Sequence, residues 1–163
     1  MKIMAIDPGS VQSAVVLSGK VYSGEVHPQS CETFICQNEC VLGMIGKYLD
    51  VVLIEKIASY GMAVGKDIFE TVFWSGRFAQ VAEENRVKVE RIERRVVKMH
   101  LCKSAKASDA NIIATIADKF DPMRKYGKYG KGTMKNRGPF FGFSKDVWQA
   151  YALLLTFVEG GAE

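Results

Sequence analysis

Nowhere does the 163-residue chain hold an apolar run approaching the roughly 18 residues that a membrane-crossing helix needs, which excludes a helical span. The opening stretch Met1-Lys2-Ile3-Met4-Ala5-Ile6 is too short for a secretory core and meets a carboxylate at Asp7, so a cytosolic protein is expected. Cysteine is scarce. The four present, Cys31, Cys36, Cys40 and Cys102, lack the paired C-x-x-C spacing of a structural zinc site, which leaves them as free, buried or half-buried thiols. No internal repeat and no composition shift divides the chain, so a single domain over residues 1–163 is expected.

Acid is missing altogether from residues 124–137, where six basic side chains stand: Arg124, Lys125, Lys128, Lys131, Lys135 and Arg137. Residues 86–106 carry eight more (Arg86, Lys88, Arg91, Arg94, Arg95, Lys98, Lys103, Lys106) against Glu90 and Glu93. The formal net charge of +4 therefore hides two positive blocks set in an otherwise acidic chain. Segregation of this kind suits a polyanionic partner. Tyr126 and Tyr129, interleaved with Lys125, Lys128 and Lys131, suit either base stacking or simple anchoring of a long loop.

What is present patterns as an α/β protein. Met1–Ile6 is an apolar strand ending in Asp7-Pro8-Gly9-Ser10, strong turn chemistry. Ala14–Leu17 and Val21–Val26 are β-rich runs divided by Ser18-Gly19-Lys20, a hairpin signal that predicts three antiparallel neighbours. Helical spacing of Phe34, Ile35, Val41, Leu42, Ile45 and Leu49 predicts a helix over 32–49. Val51-Val52-Leu53-Ile54-Glu55 is an unbroken apolar run, as in a parallel strand buried on both faces. Helices follow over 66–85, with Ile68, Val72, Phe73, Phe78, Val81 and Ala82 as the apolar stripe, and over 108–120, capped by Ser108 or Asp109. Between them Val87–Val97 alternates as a strand. A basic loop over 121–143 is expected to be mobile at 124–137, and 145–158 closes the chain as an apolar helix with Val147, Ala150, Tyr151, Leu154 and Val158 inward. The result is a five-stranded mixed sheet, antiparallel and then parallel, flanked by helices.

Three acids stand where such a sheet presents its chemistry. Asp7 ends the first strand and Glu55 ends the buried one, so parallel pairing brings both to one sheet edge. Asp146 opens the last helix, which must pack back on that sheet. Carboxylates brought together repel unless neutralised, and hard oxygen donors favour Mg²⁺ or Mn²⁺. Two such ions roughly 3.5–4 Å apart hydrolyse phosphodiesters, and nearby Lys and Arg grip neighbouring phosphates. Each acid has a plainer reading as well: Asp7 as a turn former, Glu55 as a partner of Lys56 or a nearby Arg, and Asp146 and Asp109 as helix caps.

The joint order of these signals resembles the RuvC Holliday-junction resolvases. The resemblance lies in Ile6-Asp7-Pro8-Gly9-Ser10 with Ala14, in Val52-Leu53-Ile54-Glu55-Lys56, in the helix around Gly76–Ala82 with the strand after it, and in the ending Ser144–Leu155. The short length, the Lys/Tyr/Gly loop and the Gly142–Trp148 ending are more like phage-encoded members, in a bacterial or phage-infected cytoplasm. It implies an RNase H-like fold, a homodimer, and paired symmetric nicking of four-way DNA junctions with two Mg²⁺ or Mn²⁺ ions per active site. It also implies a four-acid centre, of which Asp7, Glu55 and Asp146 match three. The departure is Gln149, which stands where the family has its fourth acid; either Gln149 supports the metal through its carbonyl or Asp109 replaces that acid. Lys98 matches a basic residue near the family's centre. Arg94, Arg95, Lys103, Lys106, Lys125, Lys128, Lys131, Lys135 and Arg137 are the expected DNA contacts. The same acids also fit an RNA-directed nuclease of the YqgF-like sort, or a non-catalytic nucleic-acid-binding protein that has lost part of the centre.

Overall fold

The computed structural model describes every residue except 20, 22, 23, 59, 60, 62, 162 and 163, together with the side chain of Lys145. Five strands form one sheet in the order β3-β2-β1-β4-β5. They are β1 (Ile3–Asp7), β2 (Gln12–Ser18), β3 (Cys31–Gln37), β4 (Val51–Lys56) and β5 (Lys88–Glu93). The first three pair antiparallel, and β1, β4 and β5 run parallel. The helices are α1 (Asn38–Met44), α2 (Lys66–Glu84), α3 (Arg94–Cys102), α4 (Asp109–Phe120) and α5 (Lys145–Val158).

The period-2 alternation of side chains divides the core into two halves. Met4, Ile6, Val52 and Ile54 face α1 and α2, with Val41, Trp74, Phe78 and Ala82. Ile3, Ala5, Val51 and Leu53 face α5, with Tyr151, Leu154 and the α4 residues Ile112 and Ile116. Helix α5 is buried almost all round: besides the expected Val147, Ala150, Tyr151 and Leu154, residues Trp148, Ala152, Leu153 and Leu155 are also buried, whereas Val158 is only partly so. A helix apolar on every side belongs inside a protein. Here α4, the loop before α5 and the sheet enclose it.

Four sequence expectations are corrected. The helix over 32–49 is a strand followed by a short helix, because residues 31–37 pair along their whole length with β2. Phe34 and Ile35, which mimic a helical stripe, lie half-exposed on this edge strand. The third strand is therefore not Val21–Val26. In the described part of that run, Val21 and Val26 are buried, and the Tyr151 hydroxyl donates to the Val26 carbonyl at 3.0 Å. Of the expected turn, Lys20 lies outside the described residues. The strand over Val87–Val97 stops at Glu93, and Val96 and Val97 belong to α3. On α2, Ile68, Val72 and Phe73 face outward, and Thr71, Trp74, Ser75, Phe78, Ala79 and Ala82 face the sheet.

The turn after β1 is fixed by a buried polar network. The Ser13 hydroxyl donates to Asn38 Oδ1 at 2.6 Å, and Asn38 Nδ2 donates to the Gly9 carbonyl at 3.0 Å. The Gly9 amide donates to Ser13 Oγ at 3.2 Å. A side chain at Gly9 has no room, since a Cβ there would stand 2.2 Å from the Gln12 carbonyl oxygen. Asn38 is fully buried, so removing its amide strands two partners away from water. Asn38→Ala is expected to lower unfolding stability by about 1–3 kcal/mol, read from the urea midpoint. An unchanged midpoint would show that this network does not hold the turn.

Candidate active site

The parallel register pairs Ile6 with Ile54, which sets Asp7 and Glu55 side by side at the C-terminal ends of adjacent strands. Both follow the alternation of Ala5 and Leu53 and so emerge on the α5 side of the sheet. Burial pushes the Asp7 carboxyl up to about 8, with the charge of Glu55 next in importance; Asp146 and Asp109 push the same way and Arg94 opposes them. Glu55 is also raised, again by burial first, although Arg94 and Lys98 pull it down. Asp7, Glu55, Asp109 and Asp146 thus share one electrostatic neighbourhood, drawn from β1, β4, α4 and α5.

Arg94 stands inside this neighbourhood. Its Nη1 donates to Glu55 Oε2 at 3.0 Å and its Nη2 to Asp109 Oδ1 at 2.6 Å. Burial disfavours the guanidinium charge, but Glu55 and Asp109 outweigh it and hold Arg94 above its ordinary range. The plainer reading of Glu55, a pair with a nearby arginine, is therefore present in the structure. Lys56 pairs instead with Glu93 at 2.8 Å. Asp109 is not the cap of α4. Ser108 is, through a reciprocal capping box with Asn111, and Asp109 follows it in the first turn. Likewise Ser144 is the N-cap residue of α5, with Asp146 exposed in the first turn.

Among the described residues, no three His, Cys, Asp or Glu side chains gather closely enough to hold a metal ion by themselves. The Arg94 guanidinium stands between two of the acids, Glu55 and Asp109. The donors nevertheless suit a hard divalent cation: four carboxylates, two of them half-buried on adjacent strands, stand against the nearby cations Arg94 and Lys98. Gln149 adds to this. It lies one turn along α5 from Asp146, is 5% exposed, and neither its Oε1 nor its Nε2 has a hydrogen-bond partner. Asp7, Glu55, Asp146 and the Gln149 carbonyl are the residues that would hold such an ion. Cys31, Cys36 and Cys102 are half-buried and Cys40 is exposed, all as free thiols.

The basic residues divide by location. Arg94, Arg95, Lys98 and Ala105 line a cleft of about 250 Å³. Lys98 lies within α3 rather than at a strand end, close enough to Glu55 to act on its charge. Lys103 ends α3 in the left-handed region, its Nζ donating to the His100 carbonyl at 2.9 Å, and it lines a second cleft between α3 and α4 with Lys106. In the 121–143 loop, the Asp121 carboxylate accepts from the Lys125 and Tyr126 amides at 2.8 and 2.9 Å. Lys125, Lys128 and Arg137 lie over the rings of Tyr126, Tyr129 and Phe141. Lys131 is half-buried and Lys135 exposed. Tyr129 packs against the core and Tyr126 against Gly138, so both rings anchor the loop. Sequence reasoning missed Asn38 and the bridging role of Arg94. Neither carries a motif, and only the fold joins them to Asp7 and Glu55.

The raised Asp7 makes stability depend on pH with a definite sign. An unfolded aspartate loses its proton near 3.8, whereas Asp7 keeps it up to about 8. Between those values the folded state binds more protons, so stability falls as pH rises through the interval. In EDTA, Asp7→Asn should therefore melt higher than the parent at pH 9, by at least about 2–4 °C, which corresponds to ~1 kcal/mol in a chain of this size. The gap should close toward pH 4. A gap that stays constant with pH would contradict the burial argument.

No family model and no curated protein matches the chain. Among solved structures, Thermus thermophilus RuvC is similar at a TM-score of 0.66 and 16% identity, over 99% of this chain and 98% of that one. The T. thermophilus RuvC in complex with Holliday junction substrate has the same TM-score, 0.66, at 15% identity, over 99% of this chain and 97% of that one. At this identity the likeness concerns architecture. It runs end to end, and this protein therefore has the RuvC-like, RNase H-like fold that its sequence order predicts.

Proposed function

We propose that this protein is a metal-dependent, structure-selective DNA endonuclease that resolves four-way junctions by paired nicks. The observation that carries the proposal is the pair Asp7 and Glu55, half-buried side by side at the ends of parallel strands, with the charge of Asp146 on α5 close enough to act on Asp7. Groups so costly to desolvate are kept where they serve a charged ligand. Mg²⁺ or Mn²⁺, two per site, would supply an activated water and charge neutralisation at the leaving oxygen.

The remaining work falls to side chains of the chain itself. Asp7, Glu55 and Asp146 orient the cations, and the Gln149 carbonyl is a neutral donor where a fourth carboxylate would add charge. Lys98 holds positive charge next to Glu55, on the side where the cleft with Arg95 admits a phosphate. Lys103, Lys106 and the loop cations Lys125, Lys128, Lys131, Lys135 and Arg137 bind flanking phosphates, the loop shifting to meet the DNA. Symmetric nicking needs two centres, hence a homodimer. The outward α2 face, with Ile68, Phe69, Val72 and Phe73 all exposed by 38–64%, is the surface that suits it. The solved neighbour bound to a Holliday junction makes four-way DNA the substrate to test first.

Asp7→Asn should lower Mg²⁺-dependent cleavage of a labelled four-way junction by at least about a thousandfold while leaving junction affinity within about twofold, because the carboxylate holds cations rather than DNA. Duplex DNA and RNA in parallel reactions separate the alternatives. Cleavage confined to RNA would favour an RNA-directed nuclease, and binding without any cleavage would favour a non-catalytic binding protein. Parental cleavage by the Asp7 variant would overturn the site assignment.

A further inference from the structure

Arg94 is in an unusual position for a DNA-contacting arginine. It is the first residue of α3, whose first turn contains no acid and a second arginine, Arg95. A helix N-terminus carries partial positive charge, so a cation there is disfavoured by its own helix. What holds the guanidinium is the pair of carboxylates it forks between, Glu55 at 3.0 Å and Asp109 at 2.6 Å. Asp109 has the opposite relation to its helix: an acid in the first turn of α4 is stabilised there with or without Arg94. The two anchors are thus unequal. Asp109 is 41% exposed and at ease, whereas Glu55 is 12% exposed and belongs to the proposed cation-binding group.

We infer that Arg94 is a resident countercation of the acidic centre, occupying the place of a divalent ion at Glu55 and competing with it for that carboxylate. The inference rests on the proposed metal dependence but goes beyond it, because it assigns Arg94 an inhibitory contact in place of a phosphate contact. The geometry explains why the acids are not gathered as a ready-made cage: a fixed cation already neutralises Glu55. It also gives Arg94 somewhere to go. The cleft of about 250 Å³ that it shares with Arg95 and Lys98 opens beside it, and the hold on Asp109 can persist after Glu55 is released. A divalent ion and a DNA phosphate in that cleft would then favour the same displaced arrangement, so each would tighten the other.

The test is a Mn²⁺ titration of the full-length protein without DNA, followed by calorimetry and by the electron paramagnetic resonance of free Mn²⁺. Arg94→Gln should bind Mn²⁺ about tenfold more tightly than the parent, a coupling ordinary for two ligands of one site. Its melting temperature in EDTA should fall, and saturating Mn²⁺ should raise it by more than in the parent. Arg94→Lys covers the case in which the glutamine variant does not fold: a lysine cannot fork between two carboxylates, so a smaller tightening of about threefold is expected. Equal or weaker Mn²⁺ binding by the folded variant overturns the inference and leaves the proposed nuclease standing. Absence of any Mn²⁺ binding that Asp7→Asn removes, in parent and variants alike, overturns both.

Discussion

The parallel pairing of β1 with β4 is the constraint from which the rest follows. Once Ile6 lies opposite Ile54, Asp7 and Glu55 have no choice of neighbour. A slip of one residue would turn Glu55 to the opposite face, toward α2, and bury a charge among Trp74 and Phe78. The register is therefore specified by the same apolar residues that make the core. Four strand residues of β1 are fully buried and four of β4 nearly so, on both faces. The placement of the two carboxylates inherits its register from this, since both end strands whose apolar residues are buried on both faces.

That placement is costly by itself, and the elements around it respond to the cost. Burial raises Asp7 and Glu55 together, and the charge of Glu55 makes Asp7 harder still to ionise. Arg94 offsets part of this at Glu55, but it carries one charge against a group of acids. Gln149 is the counterpart on α5. Its buried, unpartnered amide stands one turn along the helix from Asp146 and adds no charge, which a carboxylate at that position would have done. On the proposed function, a centre with Gln149 instead of an acid has less negative charge for a single guanidinium to offset, so the departure from the resolvase pattern and the presence of Arg94 are physically consistent with each other.

Most of the strand order was legible because it is written in local patterns: the five strands in number, the antiparallel-then-parallel sheet, α2, α4 and α5. The acids Asp7 and Glu55 were legible for the same reason, each being the first charge after an apolar run. What was not legible depends on pairing across the sheet. Cys31–Gln37 carries Phe34 and Ile35 at a spacing that suits a helix, and only β2 lying beside it selects the strand. The face of α2 was assigned to Val72 and Phe73 because they are more apolar than Thr71 and Ser75, yet the small polar residues pack closer to the sheet. Arg94 was read among a run of basic residues as one DNA contact of several. Its ion pairs with Glu55 and Asp109 appear only when Asp109, fifteen residues on, is folded back against it.

The same folding-back changes how the two basic blocks should be counted. In the first block Lys88 is paired with Glu90 and Arg94 with Glu55 and Asp109, and in the second Arg124 is paired with Asp118. The exposed pairs are worth little and a phosphate displaces them easily. The Arg94 pair is different, being partly desolvated and held at two ends. A polyanion therefore meets two classes of cation on this surface. Lys103, Lys106 and the loop lysines answer at once to its field, which falls off over about 10 Å in ordinary salt. On the inference above, Arg94 would answer only after Glu55 had found another partner, its hold on Asp109 persisting. On the proposed function, positive charge far from the centre would determine whether nucleic acid is bound, and the balance of charge inside it would determine whether the acids are free to act.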